Sequence, residues 1–391
     1  MGPAVPDLSR PAGPESSGRG GLRHRPARVV HHPWPPPGCA DLAVVQEGDC
    51  RRHGRAGRPR VAAPPRSTAN VGRGGALTDA APPPAAMALS FPVDPFAPGV
   101  ARVPIAFVNA YLVGSPGGPW VPVDTGLPRT AALTRAAAEA RFGAGARPEA
   151  VVLTHGHFDH AGSARALAEA WDVPVYAHPL ELPYLTGRSD YAPQDPTIPG
   201  AISFLSRFFP SSGFDLGDRV RPLPDDGSVP GLDGWRWLHT PGHTAGHVSL
   251  FRDDDRLLLA GDALATMDLD SWAAQVTKPK QIARPPAPFT PDWEATRASV
   301  HRLAGLDPSA IAAGHGLPIT GLSVGTLLRA YDGHVRVPTE HRYGRAPAVA
   351  DETGIVALPP PVPDPLPLKL AGGAAVVAGL AALRRRRGGA A

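Results

Sequence analysis

The chain predicts an α/β protein with one folded domain, and three observations carry that prediction. Between about residues 102 and 331, β-branched apolar runs alternate with Ala- and Leu-rich stretches of helical character. Most strand-like runs end beside a short segment of His, Asp and Gly. Of the 391 residues, 42% are hydrophobic, ample for a core despite 44 Gly and 50 Pro.

Residues 1–86 hold 15 Pro, 12 Gly and 12 Arg but no Lys. They carry no helical or strand period and no apolar core of a secretion signal, so they predict a disordered segment, with Met87 as a natural start. Val103 to Val113 and Trp120 to Val123 then read as strands, separated by a Gly-Ser-Pro-Gly-Gly-Pro turn. Arg129 to Phe142 reads as a helix stopped by Gly143. A strand at 149–153 leads into a histidine-rich loop, with a helix from Gly162 to Trp171 and a short strand from Val173 to Tyr176. His178, just beyond, is read as a packing or surface histidine.

Residues 184–216 break the rhythm. Four prolines interrupt an apolar cluster of Ile202, Phe204, Leu205, Phe208 and Phe209, which reads equally as a lid or pocket wall and as a small satellite core. Strands follow at Trp235 to Leu238, His247 to Phe251 and Leu257 to Ala260. The insertion from Ala263 to Thr290 should cross the mouth of the site. Its Lys278, Lys280 and Arg284 read as a solvated face, with an anion-holding role as the alternative. Asp292 to Leu303 is helical, Ala310 to Ala313 a strand and Val324 to Tyr331 a last helix.

The chemistry concentrates in Thr154-His155-Gly156-His157-Phe158-Asp159-His160-Ala161-Gly162. Imidazole and carboxylate are the usual nitrogen and oxygen donors to zinc and similar ions, and crowding them without a metal leaves poorly solvated, mutually repelling groups. In an extended backbone His155 and His157 point the same way, Gly156 lets the chain bend, and the adjacent Asp159 and His160 diverge. That divergence suits two neighbouring metal sites.

With these residues the sequence resembles the metallo-β-lactamase superfamily, whose signature is His-x-His-x-Asp-His after a strand. Four further segments match it in order: Val123-Asp124-Thr125-Gly126, Thr240-Pro241-Gly242-His243, Leu259-Ala260-Gly261-Asp262 and Ala312-Ala313-Gly314-His315. The resemblance covers about residues 98–345 and implies an αββα sandwich, two sheets face to face with helices outside. It implies one metal on His155, His157 and His243 and a second on Asp159, His160 and His315, with Asp262 shared. Asp124 and His247 become outer residues that orient ligands. The implied cofactors are two zinc ions, with manganese or iron as alternatives. The implied chemistry is attack on an ester, thioester or lactone by hydroxide held between the metals, with Asp159 and Asp262 as the catalytic carboxylates. Lactonases of the superfamily tend to carry a tyrosine where this chain has Ala265. The glutathione-binding features of glyoxalase II are not recognisable, so the chain is similar to that branch without being a true glyoxalase II. An iron-containing oxidoreductase on the same fold and a non-catalytic binding module are the alternatives.

Charge gives no argument for a nucleic-acid partner of the catalytic body, and none is expected. Residues 1–86 carry 12 Arg against 6 acids, and the remainder 27 basic against 29 acidic residues. Setting aside Lys369 and Arg384 to Arg387 leaves 22 against 29, so the basic pI belongs to the ends. Cys39 and Cys50 are the only cysteines, so residues 87–346, the predicted hydrolase domain, have no thiol for a disulfide or a metal. Residues 347–391 read as a Pro-rich linker with an apolar and Arg-rich tail. Leu370 to Leu383 would span only about 21 Å as a helix, short of the ~30 Å hydrocarbon core. The expectation is a cytoplasmic protein, with shallow lipid contact through residues 370–387 as one reading of the tail and a soluble tail as the other.

Overall fold

The structure is a computed structural model that describes residues 93–368 together with 370, 371, 373 and 378. The segment 1–86, both cysteines and most of the tail at 370–387 lie outside the described residues. Among the described residues no helix is long and apolar enough to cross a membrane.

Two mixed sheets carry the fold. The first runs, in spatial order, β1 (Asp94–Ala97), β2 (Val100–Ile105), β3 (Val108–Gly114), β4 (Trp120–Val123), β5 (Val151–Val152), β6 (Val175–Ala177) and β7 (Val220–Pro222). The second contains β8 (Ser228–Val229), β9 (Leu232–His239), β10 (Val248–Arg252), β11 (Leu257–Gly261), β12 (Ala310–Ala313) and β13 (Ile319–Thr320), ordered from β13 to β8. The longer helices are α1 (Ala131–Phe142), α2 (Phe158–Ala161, one turn), α3 (Ala164–Trp171), α4 (Leu182–Leu185), α5 (Ala201–Leu205), α6 (Trp272–Thr277), α7 (Trp293–Gly305), α8 (Val324–Asp332) and α9 (Arg342–Arg345).

Side-chain alternation along the strands builds the layers. Leu257 and Leu259 of β11 join Ala310 and Ala312 of β12 and Val121, Val123 and Val152 of the first sheet in the core between the sheets. Their neighbours Leu258, Ala260, Ile311 and Ala313 face the other way, onto Val300 and Leu303 of α7 and Leu328 of α8. Leu112 and Trp120 likewise turn outward against Ala137 and Ala138 of α1 and Leu167 and Trp171 of α3. Helix, sheet, sheet, helix is the predicted αββα order. Asp292 caps α7 by accepting from Ala295 N–H.

Two boundaries differ from the sequence reading. The run from Val103 to Val113 is two strands, reversed at Ala106 and Phe107, with Ala106 at φ 55°. Neither turn residue is the Gly or Asn that signals such a reversal, so the apolar run looks continuous. Beyond 346 the expected linker contains a hairpin, β14 (Val349–Asp351) and β15 (Gly354–Ala357). Ile355 N–H donates to Ser189 Oγ, and Arg207 pairs with Asp364, so this stretch packs on the segment at 184–216.

The last ligand loop is tied to the opposite sheet. Asn109 N–H donates to Gly314 O, its side-chain amide to Ala313 O and Gly316 O, and Tyr111 Oη–H to Ala313 O.

Candidate metal centre

Each of the seven histidine and aspartate candidates leaves a strand end or the helix turn beside one. β4, β5 and β6 are parallel, as are β11 and β12, so their carboxyl ends emerge on common edges. Asp124 follows β4, His155 and His157 follow β5, and α2 carries Asp159 and His160. His243 lies between β9 and β10, Asp262 follows β11 and His315 follows β12.

The structure brings all seven together as three overlapping groups: His155 with His157 and His243; His155 with His160 and Asp262; Asp159 with His160 and His315. His157 Nδ1 lies 3.1 Å from His155 Nε2 and 2.9 Å from His243 Nε2. Asp262 Oδ2 lies 3.5 Å from His243 Nε2 and 3.1 Å from His315 Nε2, between the first and last groups. His315 Nε2 is also 3.5 Å from Asp159 Oδ2.

Hydrogen bonds on the far side of the rings fix which nitrogen faces the cluster. His160 Nδ1–H donates to Asp124 Oδ2 at 2.8 Å, and His315 Nδ1–H to the Phe107 carbonyl at 2.9 Å. Thr154 Oγ1 gives its hydrogen to Asp124 and so accepts from His155 Nδ1–H. Thr290 Oγ1 gives its hydrogen to Pro286 O and accepts from His243 Nδ1–H in the same way. With Nδ1–H so committed, these four rings turn Nε2 toward the cluster, and His157 turns Nδ1.

Burial and charge separate His155, His157 and His243 from His160 and His315. Burial, reinforced by the neighbouring imidazoles, holds His155 and His243 well below the ordinary histidine range and His157 down to about 3. Neutral imidazole is the ligating form. At His160 and His315 burial is the largest single influence and acts downward, but the surrounding carboxylates, Asp262 foremost with Asp159 and, at His160, Asp124, together outweigh it and raise both. Asp262 itself, despite burial, is held well below the carboxylate range by His315 and His160.

These residues fit a bound metal. His160 Nε2 and Asp262 Oδ1 are buried with no hydrogen-bond partner and face each other at 3.5 Å. Such orphaned atoms are costly unless a cation lies between them. Gly314 serves the same space, because a Cβ there would collide with Asp262 Oδ1 and the His160 ring.

The family model of the metallo-β-lactamase superfamily matches residues 103–315, the span that contains every one of these groups. The chain belongs to the metallo-β-lactamase superfamily. Among curated proteins it is 46% identical over 228 residues to the probable metallo-hydrolase YflN of Bacillus subtilis, covering 58% of this chain and 86% of that protein. The probable metallo-hydrolase YybB of the same organism is 34% identical over 149 residues, 38% of this chain and 58% of that one. Among solved structures, TTHA1623 in a di-iron-bound form is 31% identical, covering 57% of this chain and 94% of that one with a TM-score of 0.38.

Within this superfamily member the outer residues divide clearly. Asp124, at φ 60°, accepts from Thr154 N–H, Thr154 Oγ1–H and His160 Nδ1–H, so it holds the histidine loop. His247 faces away from ligation, since its Nε2 accepts from Asp262 N–H. His178 stacks on His239, outside the cluster. Ala265 is fully buried and pairs its backbone with Ala283, which leaves no phenol beside the cluster at that position.

Sequence reasoning missed Glu181, Tyr191, Thr290 and Phe107. Glu181 is fully buried; its Oε2 accepts from Gly156 N–H and Tyr191 Oη–H and its Oε1 from Thr244 Oγ1–H and Gly246 N–H. One carboxylate thus clamps the loop of His155 and His157 to the loop of His243. Gly156 is required here for close approach, because a Cβ would strike the Tyr191 hydroxyl and Leu185.

The cluster is roofed by phenylalanine. Phe107 stacks on His315 and on Phe209, Phe209 meets Phe158 and Phe289, and Phe289 reaches His157. Ile202 also packs with Met267 and Leu269, with Phe209 against them, so the apolar segment is both a satellite core and a pocket wall.

Proposed function

We propose that the chain is a dinuclear metal-dependent hydrolase of small carbonyl compounds: esters, thioesters or lactones. The observation that carries this reading is Asp262, whose Oδ2 stands between His243 Nε2 and His315 Nε2. A carboxylate so located would serve both donor sets, that of His155, His157 and His243 and that of Asp159, His160 and His315. A metal pair, when bound, supplies Lewis acidity and lowers the pKa of water towards neutrality.

The chain's own side chains divide the remaining work. Apart from the ligand candidates, the cavity above the cluster is lined by Phe107, Phe158, Ile202, Phe209, Pro286 and Phe289. Among the described residues it offers no hydroxyl, thiol or amine as a nucleophile, which leaves water as the attacking group. The apolar roof keeps bulk solvent out and strengthens each charge interaction beneath it. Asp159 Oδ2, at the cavity wall 3.5 Å from His315 Nε2, is the carboxylate oxygen placed to take the proton released by water and return it to the leaving group.

Zinc heads the candidate ions, and manganese or iron suit the same nitrogen and oxygen donors. The relatives named as probable metallo-hydrolases support hydrolysis in general. The test is elemental analysis combined with a panel of chromogenic esters, thioesters, lactones and phosphodiesters. The expected result is carbonyl hydrolysis that is abolished by a chelator and restored by Zn²⁺ or Mn²⁺. Phosphodiester cleavage exceeding every carbonyl substrate would overturn the reading.

A further inference from the structure

The space directly above the cluster measures about 20 Å³, room for a water but not for a substrate. Beside it lies a larger cavity of about 180 Å³ that shares the walls Phe107, Ile202, Phe209 and His315. A substrate whose reacting carbonyl sits over the cluster therefore has its nearest available volume past His315. Pro104, Leu205, Met267, Leu269 and Leu317 make this larger cavity mainly apolar.

Its polar groups are almost all committed to the fold. Arg102 is held by Asp94 and Asn109. Asn109 gives its amide to Ala313 O and Gly316 O, and Gln275 gives its amide to Leu269 O. Lys278 is different. It ends α6 in the left-handed conformation, is exposed at the cavity wall and has no ion pair among the described residues. Of the other two basic residues singled out in this insertion, Arg284 is taken by Asp270 and Lys280 lines a neighbouring pocket.

We infer that this second cavity receives an apolar arm of the substrate that ends in a carboxylate, with the Lys278 ammonium as its partner. The inference rests on the hydrolase reading for the site but concerns a different set of residues. An apolar lining tightens binding about 4-fold for each methylene group it buries. A single exposed ammonium adds a preference of about 5-fold at the upper end for an exposed ion pair.

Binding and turnover test it separately. In equilibrium dialysis with the metal-loaded full chain, suberate should bind about 5-fold tighter than octanoate, and Lys278→Ala should abolish the difference. Equal binding of the two acids to wild type, or a difference that persists in Lys278→Ala, overturns the inference. In kinetics, p-nitrophenyl hemi-esters of dicarboxylic acids and esters of ω-hydroxy acids are compared with uncharged esters of equal length. The kcat/KM preference for a carboxylate-ended series should fall about 5-fold in Lys278→Ala and stay unchanged in Lys280→Ala, whose side chain lies outside this cavity. A preference insensitive to Lys278 sinks the inference while leaving the hydrolase reading intact. Selective suberate binding without turnover of any carbonyl compound sinks the hydrolase reading alone.

Discussion

His160 Nδ1 and Asp124 Oδ2 are joined by a 2.8 Å hydrogen bond between fully buried side chains 36 residues apart. The same carboxylate binds Thr154, so it orients both His160 and the start of the histidine loop. Asp124→Asn replaces one acceptor oxygen by a donor amide, against either Thr154 or His160. Metal affinity should fall about 10- to 100-fold with the fold retained. Chelator competition measures the affinity and circular dichroism the fold; wild-type retention of both ions would reduce Asp124 to a turn residue.

Stoichiometry separates the two donor groups. The chain from residue 87 onward should bind two ions, His243→Ala should mainly empty the site of His155 and His157, and His315→Ala the site of Asp159 and His160. Elemental analysis of the three proteins decides this. One ion per chain in fully active wild type is the result that would refute the paired arrangement.

Glu181→Gln should loosen the clamp between the two histidine loops. Both carboxylate oxygens accept two hydrogen bonds each, and a glutamine amide would turn its NH₂ against one pair of donors. Leaving a buried donor unsatisfied costs about 1–3 kcal/mol. Thermal unfolding should register that loss, and metal should leave the His243 site faster than in wild type. An unchanged melting curve together with unchanged metal release would show that Glu181 is dispensable.

Asp262→Ala removes the carboxylate between the groups and uncovers His160 Nε2 and His315 Nε2 to each other. Occupancy of the second ion should drop. Ester or thioester hydrolysis should fall by more than the ~100-fold upper limit for a residue that only orients ligands. The measurement is kcat/KM at matched metal content, and wild-type hydrolysis under those conditions falsifies the role given to Asp262.

The residues of the cluster could be read from the sequence because each sits in a short stretch with its own signature, at the end of a strand that the apolar pattern also marks. Glu181 could not. Its partners are Gly156, Tyr191, Thr244 and Gly246, up to 65 residues away, and a lone Glu after His178-Pro179-Leu180 carries no local signal of burial. Phe107 was hidden for another reason: the reversal at Ala106 has no turn residue to announce it, so the ring that stacks on His315 looked like part of a strand. The paired readings of the apolar segment near Ile202 could not be separated in advance, because one layer of side chains serves both as core and as wall.

The hydrogen bonds from Asn109 and Tyr111 to residues 313–316 bear on how the protein comes by its ion. They fasten the loop of His315 to the opposite sheet using amide, hydroxyl and carbonyl groups only, with the His315 ring itself anchored to Phe107 O. Folding and loading should then be separable, unlike in small domains that collapse only around their zinc. An emptied chain should keep the His315 loop in place and take up an ion again on refilling, which circular dichroism and elemental analysis before and after chelation would register.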